Sequence, residues 1–417
     1  MGRVRASPPA SMTAPDVVHE AAARVAPEIL AFLRALIAIP SESAGERAVV
    51  ERAAAEMRAV GFDEVRVDAF GNVLGRVGHG PHVIAIDGHL DTVGVGDPGT
   101  WTRDPYAGVV QGGVVYGRGA SDQEAGFAAA VHGARLAKEL GLLEGVSLWV
   151  TGTVMEEDCD GLCWQYLLRE KVLAPEVVVL TEPTNLAVYR GHRGRMEIEV
   201  RTQGRSAHGS APERGLNAVY RMAPILLEVE RLDAQLAASA DPFLGKGSVT
   251  VSEVRSTSPS LCAVADSCTI HLDRRLTTGE TKASAVAEIE ALPAVRAAGA
   301  TVRVLDYARA THTGLVYPTE KYYPTWLLAE DHPAVRAGVA ASNTAIGSAT
   351  VGKWVFSTNG VATCGMFGVP TIGFGPANEI HAHTPDDQCP VDHLAKAAAF
   401  YARFPSAFLQ ALREEKP

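Results

Sequence analysis

The sequence is poor in cysteine and has no long apolar run. Six cysteines in 417 residues are too few for the disulfide framework of a secreted domain, so reduced thiols in a cytoplasmic protein are expected. No window contains the roughly 18 uninterrupted apolar residues that a membrane-spanning helix needs. Residues 1–16 lack the apolar stretch of a secretory signal. They are expected to form a disordered lead, in which Met12 competes with Met1 as the true start.

Net positive charge is also lacking. The chain has 38 Lys and Arg against 48 Asp and Glu, which gives a formal charge of −10. A nucleic-acid-binding protein needs basic residues to neutralise phosphates, so a nucleic acid is not an expected partner. A membrane is not expected either, because the chain has no apolar run long enough to span one. The length exceeds what one hydrophobic core usually serves, which favours two domains. Thirteen histidines beside many carboxylates can supply metal ligands, although composition does not locate a site.

Two segments of the chain alternate helices with short apolar runs. Helical periodicity covers residues 17–38, 43–60 and 124–140. Apolar runs typical of strands buried on both faces occur at Val83–Ile86, Leu148–Val150, Val177–Leu180 and Thr371–Phe374. This rhythm predicts an α/β domain with a sheet flanked by helices, formed by residues 17–193 and 309–417.

The segment between these two, residues 194–308, has another rhythm. Its pattern predicts four strands and two helices in the order β-α-β-β-α-β, near residues 196–200, 216–236, 249–254, 262–272, 281–292 and 301–305. This order predicts a ferredoxin-like open-faced sandwich that is inserted into the larger domain.

Polar residues follow each apolar run of the larger domain. They are Asp87–Thr92, Glu156–Asp158, Glu182–Thr184 and Gly375–Asn378 with the nearby His381 and His383. Open α/β sheets bind ligands beyond the carboxyl ends of their strands, so these groups are expected to converge in one crevice.

Residue types in these loops are those of a metal site. His89 and Asp91 are two apart, so an extended backbone points both side chains the same way, and Asp91 can accept a hydrogen bond from the ring nitrogen that is not on the metal. Asp122 precedes the helix that begins near Glu124. Its two oxygens can bridge two cations, and the alternative is a helix N-cap.

Glu156 and Glu157 are adjacent, so their side chains diverge in an extended turn. One can bind metal while the other stays free as a general base. The alternative is an exposed acidic turn.

Five ordered motifs carry a family resemblance: GHLDTV, GRGASDQEAG, EEDCDG, TEPT and FGPANEIHAHTPDD. They resemble the M20 metallopeptidases, specifically the acetylornithine deacetylase and succinyl-diaminopimelate desuccinylase group, and within it the YgeY-like hydrolases linked to selenium metabolism. The resemblance runs from about Phe32 to Pro405. It implies a zinc-peptidase-like catalytic domain, a lid and dimerisation domain, and a homodimer or higher homo-oligomer.

The resemblance also implies residue roles. The zinc ligands would be His89, Asp122 and Glu182 for one ion and Asp122, Glu157 and His383 for the other, with Co or Mn as alternative metals. Asp91 would orient His89, and Glu156 would be the general base. His381 is a rival to His383, and Asp387 stands where the family commonly has Glu.

Three further residues are candidates for the substrate. The resemblance implies that His208 polarises the scissile carbonyl across a dimer interface, and a loop-capping surface histidine is the alternative. Arg275 can bind a substrate carboxylate through its guanidinium, or be an ordinary strand-edge arginine. Asn359 is expected to line the same pocket. The resemblance and these residues together imply hydrolysis of an amide bond in a small N-acyl amino acid or peptide-like substrate. The alternatives are a dipeptidase or carboxypeptidase of the same family and a catalytically silent metal-binding relative.

Overall fold

A computed structural model describes residues 14–415. The helices are α1 (Ala14–Ile37), α2 (Arg47–Ala59), α3 (Glu124–Glu139), α4 (Leu162–Arg169), α5 (Ala218–Gln235), α6 (Lys282–Ala291), α7 (Pro293–Ala298), α8 (Pro333–Ile346) and α9 (Val391–Glu414). Most of the predicted disordered lead, residues 1–13, lies outside the described residues. Helix α1 includes residues 14–16, and the disordered lead stays a prediction.

The strands follow the same numbering along the chain. They are β1 (Glu64–Val67), β2 (Val73–Val77), β3 (His82–His89), β4 (Val109–Gln111), β5 (Val114–Tyr116), β6 (Val146–Thr153), β7 (Val177–Leu180), β8 (Val188–His192), β9 (Gly194–Gln203), β10 (Ser248–Thr257), β11 (Ser267–Leu276), β12 (Thr301–Val304), β13 (Asp306–Tyr307), β14 (Thr319–Glu320), β15 (Tyr322–Tyr323), β16 (Trp326–Leu327), β17 (Val351–Trp354), β18 (Thr371–Gly373) and β19 (Gln388–Pro390).

The larger sheet is mixed. Its strand order is β1-β2-β6-β3-β7-β18-β8-β16, and β17 also pairs with β8. The central strands β6, β3, β7 and β18 run parallel to their neighbours within this group. All residues of β6 and β7 are buried, which explains why these strands are continuous apolar runs in the sequence.

Helices cover this sheet and form one hydrophobic core with it. α1, α3, α8 and α9 pack against one another, α3 also contacts β3 and β6, and α8 contacts β8 and β18. Because α3 is almost entirely buried, its small alanine and glycine side chains suit a helix enclosed between the sheet and α9. The predicted class, an α/β fold with a mixed sheet flanked by helices, is confirmed.

A second sheet has the order β10-β11-β9-β12, and β15 also pairs with β9. All its pairs are antiparallel, and α5 and α6 connect its strands in the predicted ferredoxin-like order. Alternate residues of β9, Met196, Ile198 and Val200, lie in a separate hydrophobic core with α5, α6 and α7. The ferredoxin-like part of the fold class is therefore confirmed. The limits placed at residues 193/194 and 308/309 stay a prediction.

Two element boundaries differ from the sequence-based expectation. β11 begins at Ser267 and not near Cys262, because the β10–β11 register pairs Thr257 with Ser267 and leaves residues 258–266 as the hairpin loop. Helix α2 begins at Arg47 and not near residue 43. Within residues 14–415, none of the helices is long and apolar enough to span a membrane.

Candidate metal centre and active site

The central parallel strands end at the same edge of the larger sheet, and polar residues follow each of them. These residues are His89 at the end of β3, Glu156 and Glu157 after β6, Glu182 after β7 and His383 after β18. The expected convergence at the carboxyl ends of the strands is what the structure shows.

Asp122 joins this group from the residues that precede α3. The start of α3 lies close to the end of β7, since a Cβ atom at Gly126 would be 2.3 Å from the carbonyl oxygen of Thr181. No side chain larger than glycine fits there without moving the backbone. Gly126 thus allows the segment with Asp122 to lie beside Glu182, the residue after Thr181.

The first triad consists of His89, Asp122 and Glu182, whose ligand atoms all lie within 4.8 Å of one another. Nε2 of His89 is 3.1 Å from Oδ1 of Asp122 and 3.7 Å from Oε1 of Glu182. All three side chains are buried. Two carboxylates and an imidazole around one point form a typical donor set for zinc and related divalent metals.

The second triad consists of Asp122, Glu157 and His383, again within 4.8 Å. Nε2 of His383 is 3.3 Å from Oδ2 of Asp122 and 3.0 Å from Oε2 of Glu157. Asp122 therefore presents one carboxylate oxygen to each triad. The alternative role of Asp122 as a helix N-cap is wrong, because Gln123 holds that position and makes no capping bond.

His383, and not its rival His381, belongs to the site. His383 has a left-handed backbone, with φ of 59°, a strained conformation of a kind that clusters at functional sites. Both ring nitrogens of His381 lie near Nε2 of Gln388, at 3.1 and 3.2 Å. The structure thus brings together all five residues that were predicted as metal ligands.

The hydrogen bond that orients His89 differs from the predicted one. Nδ1 of His89 donates to the main-chain carbonyl of Asp91 at 2.7 Å, while the Asp91 carboxylate is 3.8 Å away. That carboxylate instead accepts the main-chain N–H groups of Glu156 and Glu157 and the hydroxyl of Ser43. Asp91 therefore fixes His89 through its backbone and fixes the glutamate pair through its side chain.

The electrostatics of the site call for cations. Burial raises the pKa of Glu156 and Glu182 well above the ordinary value, and burial together with the charge of Asp122 raises the pKa of Glu157 to about 7. Burial alone would lower the pKa of His89, but its hydrogen bond to Asp122 and the charges of Glu156 and Glu182 raise it well above the usual range. Carboxylates buried together are costly unless positive charge compensates them.

Unpartnered oxygens point to the same conclusion. Oε1 of Glu156 and Oε1 of Glu157 are buried and have no hydrogen-bond partner among the described residues. Because Nδ1 of His89 donates to a carbonyl, Nε2 of the neutral ring carries the lone pair, which it can give to a cation between the carboxylates, as in metal sites generally. The donor set therefore fits divalent cations, and Glu156 is a buried carboxylate beside the two triads that belongs to neither.

A cavity of about 390 Å³ opens onto this centre. Its lining residues are Asp122, Glu156, Glu157, Asp160, Glu182, Arg195, Arg275, Phe356, Ser357, Glu379, Ala382 and His383. Arg275, a sequence candidate for the substrate, lies in this wall. Its Nε and Nη2 donate to both oxygens of Asp273, at 2.8 and 2.9 Å. Arg195 and Glu379 were not among the candidates.

Asn359 does not line the substrate pocket as predicted. It is 1% exposed and does not belong to the cavity wall. Its amide nitrogen donates to Asp87 and Thr153, and its oxygen accepts from the main-chain N–H of Gly161 and the thiol of Cys163. Since its hydrogen-bonding groups are all occupied by the protein, the prediction of substrate binding by the Asn359 side chain is corrected to a structural role.

His208 is exposed, in a loop after β9, and is not part of the cavity wall. Its Nδ1 accepts hydrogen bonds from the main-chain N–H and the hydroxyl of Ser210, at 3.1 and 2.7 Å. In the neutral ring this places the hydrogen on Nε2, which becomes a donor. The structure does not bring His208 to the centre of its own chain.

Sequence reasoning treated Asp387 only as a mild departure from the family pattern. In the structure it is fully buried and accepts hydrogen bonds from Arg118, the main chain of Gly119, and both the main chain and the hydroxyl of Ser121. These donors directly precede Asp122. The glycine-rich run before Asp122 and the acidic end of the motif with His383 were the available signals, but their pairing was not evident.

The fold and the site together define a metal-dependent hydrolase. The model of peptidase family M20/M25/M40 matches residues 85–407, which is most of the chain, and the chain belongs to this family. The predicted family and the prediction of an enzyme are confirmed.

Two sequence relatives and one solved structure illustrate what the chain is similar to. The chain is 54% identical to an uncharacterized protein, YgeY, of Escherichia coli strain K12, over 91% of this chain and 94% of that protein. It is 30% identical to an acetylornithine deacetylase of Klebsiella pneumoniae strain 342, over 61% of this chain and 69% of the relative. The crystal structure of the Bacillus subtilis YxeP protein, described as a dinuclear metal binding peptidase, is similar with a TM-score of 0.68 at 13% identity, covering 94% of this chain and 99% of YxeP.

Proposed function

We propose that this protein is a two-metal amidohydrolase that cleaves the amide bond of a small N-acyl amino acid or peptide-like substrate. One observation carries the proposal. Asp122 presents an oxygen to each of two His–carboxylate triads, and Glu156 lies beside them as a buried carboxylate outside both. A purely structural metal site needs no such extra carboxylate, which disfavours a silent relative.

Zinc is the proposed metal, because its tetrahedral sites combine imidazole and carboxylate ligands, and Co or Mn are the alternatives. The first ion would be held by His89, Asp122 and Glu182, and the second by Asp122, Glu157 and His383. When bound, such ions lower the pKa of water and polarise carbonyl groups. The dinuclear metal binding described for YxeP supports a pair of ions here.

Glu156 is the proposed general base. Its Oε2 is 3.8 Å from Nε2 of His89, and its Oε1 has no partner among the described residues. It would accept a proton from the water whose oxygen attacks the amide carbon. When the carbon–nitrogen bond breaks, it would pass that proton to the leaving nitrogen.

A homodimer is the proposed assembly. α5 exposes Tyr220 and Leu227, at 77% and 57%, and the edge strand β10 exposes Val254 at 54%. Apolar residues on an unpaired edge favour association with another strand or chain. In that assembly Nε2 of His208 would donate to the substrate carbonyl oxygen in the site of the partner, where such a donor stabilises developing negative charge.

We also propose that residues 17–193 and 309–417 form the catalytic domain and residues 194–308 the lid. The two separate hydrophobic cores support this division. A cytoplasmic location is proposed on the strength of six free cysteines.

Deacylase and peptidase activity use the same chemistry, so the test separates them by substrate. The purified protein is stripped of metal and reloaded with about two equivalents of zinc or cobalt, and turnover of N-acyl amino acids and dipeptides is compared. Metal-dependent release of an amino acid is expected, with N-acyl amino acids preferred. Preference for dipeptides would make the protein a dipeptidase. Binding of two metals without cleavage of any amide would contradict the proposal.

A further inference from the structure

The turn that carries Glu156 and Glu157 has little regular structure of its own. It connects β6 to α4, and its residues 155–161 belong to neither a helix nor a strand. It begins at Met155 and ends at Gly161, which have left-handed backbones with φ of 66° and 69°. Since neither a strand ladder nor a helix holds this turn, its conformation depends on the contacts that its side chains make.

Asp158, the residue after Glu157, is held by two residues at the exit of the proposed lid. Oδ2 of Asp158 accepts the hydroxyl of Tyr307 at 2.8 Å and Nη1 of Arg309 at 2.6 Å. Tyr307 is 8% exposed and lies on β13, which follows the lid strand β12. Two donors on one oxygen restrict its movement, and the guanidinium supplies the stronger, charge-assisted bond.

The next two residues of the turn also contact the lid sheet. The thiol of Cys159 is 3.2 Å from the hydroxyl of Tyr323, which lies on β15 and pairs with the lid strand β9. Asp160 accepts Nη2 of Arg195 on β9, at 3.3 Å. Three consecutive side chains therefore tie the turn to the lid sheet and to the segment that leaves it. A displacement of that segment relative to the larger sheet would be transmitted to Glu157.

We propose that Tyr307 and Arg309 are positioning residues, which act through Asp158 to hold Glu157 in the geometry that the second metal ion needs. This inference rests on the proposed two-metal function. Of the two triads, Glu157 belongs to the second alone. The affinity for the second ion should therefore depend on Tyr307 and Arg309, and the affinity for the first ion should not. Residues that orient a metal ligand from outside the ligand set contribute about 10- to 100-fold to metal affinity.

Zinc binding to the metal-free protein tests this inference. Wild type, Tyr307→Phe and Arg309→Gln are titrated with zinc against a competing chelator, and both dissociation constants are determined. His383→Ala, which lacks a ligand of the second triad alone, identifies the constant of the second ion. Each variant is expected to weaken that constant about 10- to 100-fold and to change the first by less than about 3-fold.

The variants of Arg309 keep the test independent of folding defects. Arg309 is exposed, so its replacement leaves the hydrophobic cores intact even if Tyr307→Phe unfolds. Arg309→Lys keeps a cationic donor without the planar guanidinium, and it should bind the second ion more tightly than Arg309→Gln.

A second background shows whether the effect passes through Asp158. In Asp158→Ala, neither Tyr307 nor Arg309 has an acceptor on the turn left to lose. Adding Tyr307→Phe or Arg309→Gln to Asp158→Ala should therefore change the second constant by less than about 3-fold, since residues that act through one shared partner are not additive. A general loss of packing would persist in that background.

Two matched controls come from the same part of the chain. Tyr317→Phe removes a tyrosine hydroxyl that donates to Glu170 at 3.0 Å. Arg303→Gln removes an arginine that pairs with Glu199 at 2.8 Å. Neither of these bonds involves the turn, so both variants should bind two zinc ions with the wild-type constants.

The outcomes separate this inference from the proposed function. An unchanged second constant in both Tyr307→Phe and Arg309→Gln, equal weakening of the two constants, or the same weakening in the Asp158→Ala background would overturn the inference while the proposed function stands. Binding of fewer than two zinc ions by the wild type would instead overturn the proposed two-metal function, and this inference with it.

Discussion

Oδ1 of Asp387 accepts the main-chain N–H of Ser121 at 2.7 Å across 266 positions of the chain. The residue after Ser121 is Asp122, which belongs to both triads, and four residues before Asp387 stands His383. Asp387 therefore fixes the distance between the two segments that supply Asp122 and His383. Arg118, which also donates to Asp387, lies over the Trp101 ring and ties a third loop to this network.

Replacing Asp387 tests this link. Asp387→Asn leaves one oxygen for four donors and turns an NH2 group toward N–H groups. We expect a loss of unfolding free energy of roughly 2–4 kcal/mol, together with weaker metal binding at the triad of His383. Denaturant unfolding and metal analysis after dialysis measure both effects. Asp387→Glu keeps the charge and should retain more metal than the Asn variant. Full metal content in Asp387→Asn would refute the link.

The two adjacent glutamates should respond differently to the same substitution. Glu156→Gln removes the proposed base and no ligand, so kcat should fall by about 10²- to 10⁴-fold while metal content stays at the wild-type value. Glu157→Gln removes a ligand and should lose one metal ion. Steady-state kinetics and elemental analysis of both variants form a matched pair. Retained activity in Glu156→Gln would remove Glu156 from the mechanism.

Those parts of the site that depend on local sequence pattern could be predicted from the sequence. A buried strand is an apolar run, and the residue after it stands at a known edge of a parallel sheet. His89, Glu157, Glu182 and their neighbours could be placed from that rule and from the family motifs. The ferredoxin-like insertion could be predicted in the same way, because the alternation of residues such as Met196 and Ile198 has the period of a half-buried strand.

Contacts between residues that lie far apart in the chain could not be predicted from the sequence. Asp387 and Ser121, or Arg195 and Arg275, meet only because the strands and loops have a particular register, and nothing in the local sequence of either member marks it. The acceptor for His89 also depended on backbone geometry, since a carbonyl and a carboxylate of the same Asp91 compete for one N–H. The role of Asn359 also depended on the orientation of its side chain, which the local sequence does not indicate.

The corrected role of Asn359 has a measurable consequence. Its side chain holds Asp87 at the end of β3 and the start of α4 near Gly161. Asn359→Ala leaves a buried carboxyl group without this donor, and a loss of roughly 2–4 kcal/mol in unfolding free energy is expected. KM should stay close to wild type. Urea unfolding and kinetics on the folded fraction check both, and a raised KM at unchanged stability would restore the substrate-binding role.

Glu46 should make the stability of the metal-free protein depend on pH. Its carboxyl is fully buried, and Oε1 accepts the main-chain N–H of Met155, the residue before Glu156. Oε2 has no hydrogen-bond partner among the described residues, and Nδ1 of His312 lies 4.0 Å from it. Burial, and then the charge of Asp91, raise the pKa of Glu46 to about 7 from an ordinary 4.5.

The sign follows from proton counting. Between pH 4.5 and 7 the folded protein keeps a proton on Glu46 that the unfolded chain has lost, so unfolding releases a proton and stability falls as pH rises. The contribution is fully present below pH 4.5 and amounts to at most about 3 kcal/mol, since one pKa unit corresponds to about 1.4 kcal/mol.

Glu46→Gln keeps an acceptor for Met155 and cannot ionise. Relative to wild type, the metal-free variant should be more stable at pH 8, by up to about 3 kcal/mol, and similar at pH 4. Urea unfolding across this range measures the difference between the two proteins, which cancels contributions from other carboxyl groups. Glu51→Gln, at an exposed position of α2, the helix that begins directly after Glu46, should follow the wild-type curve. If wild type and Glu46→Gln run parallel at all pH values, the buried carboxyl of Glu46 does not retain its proton in the folded protein.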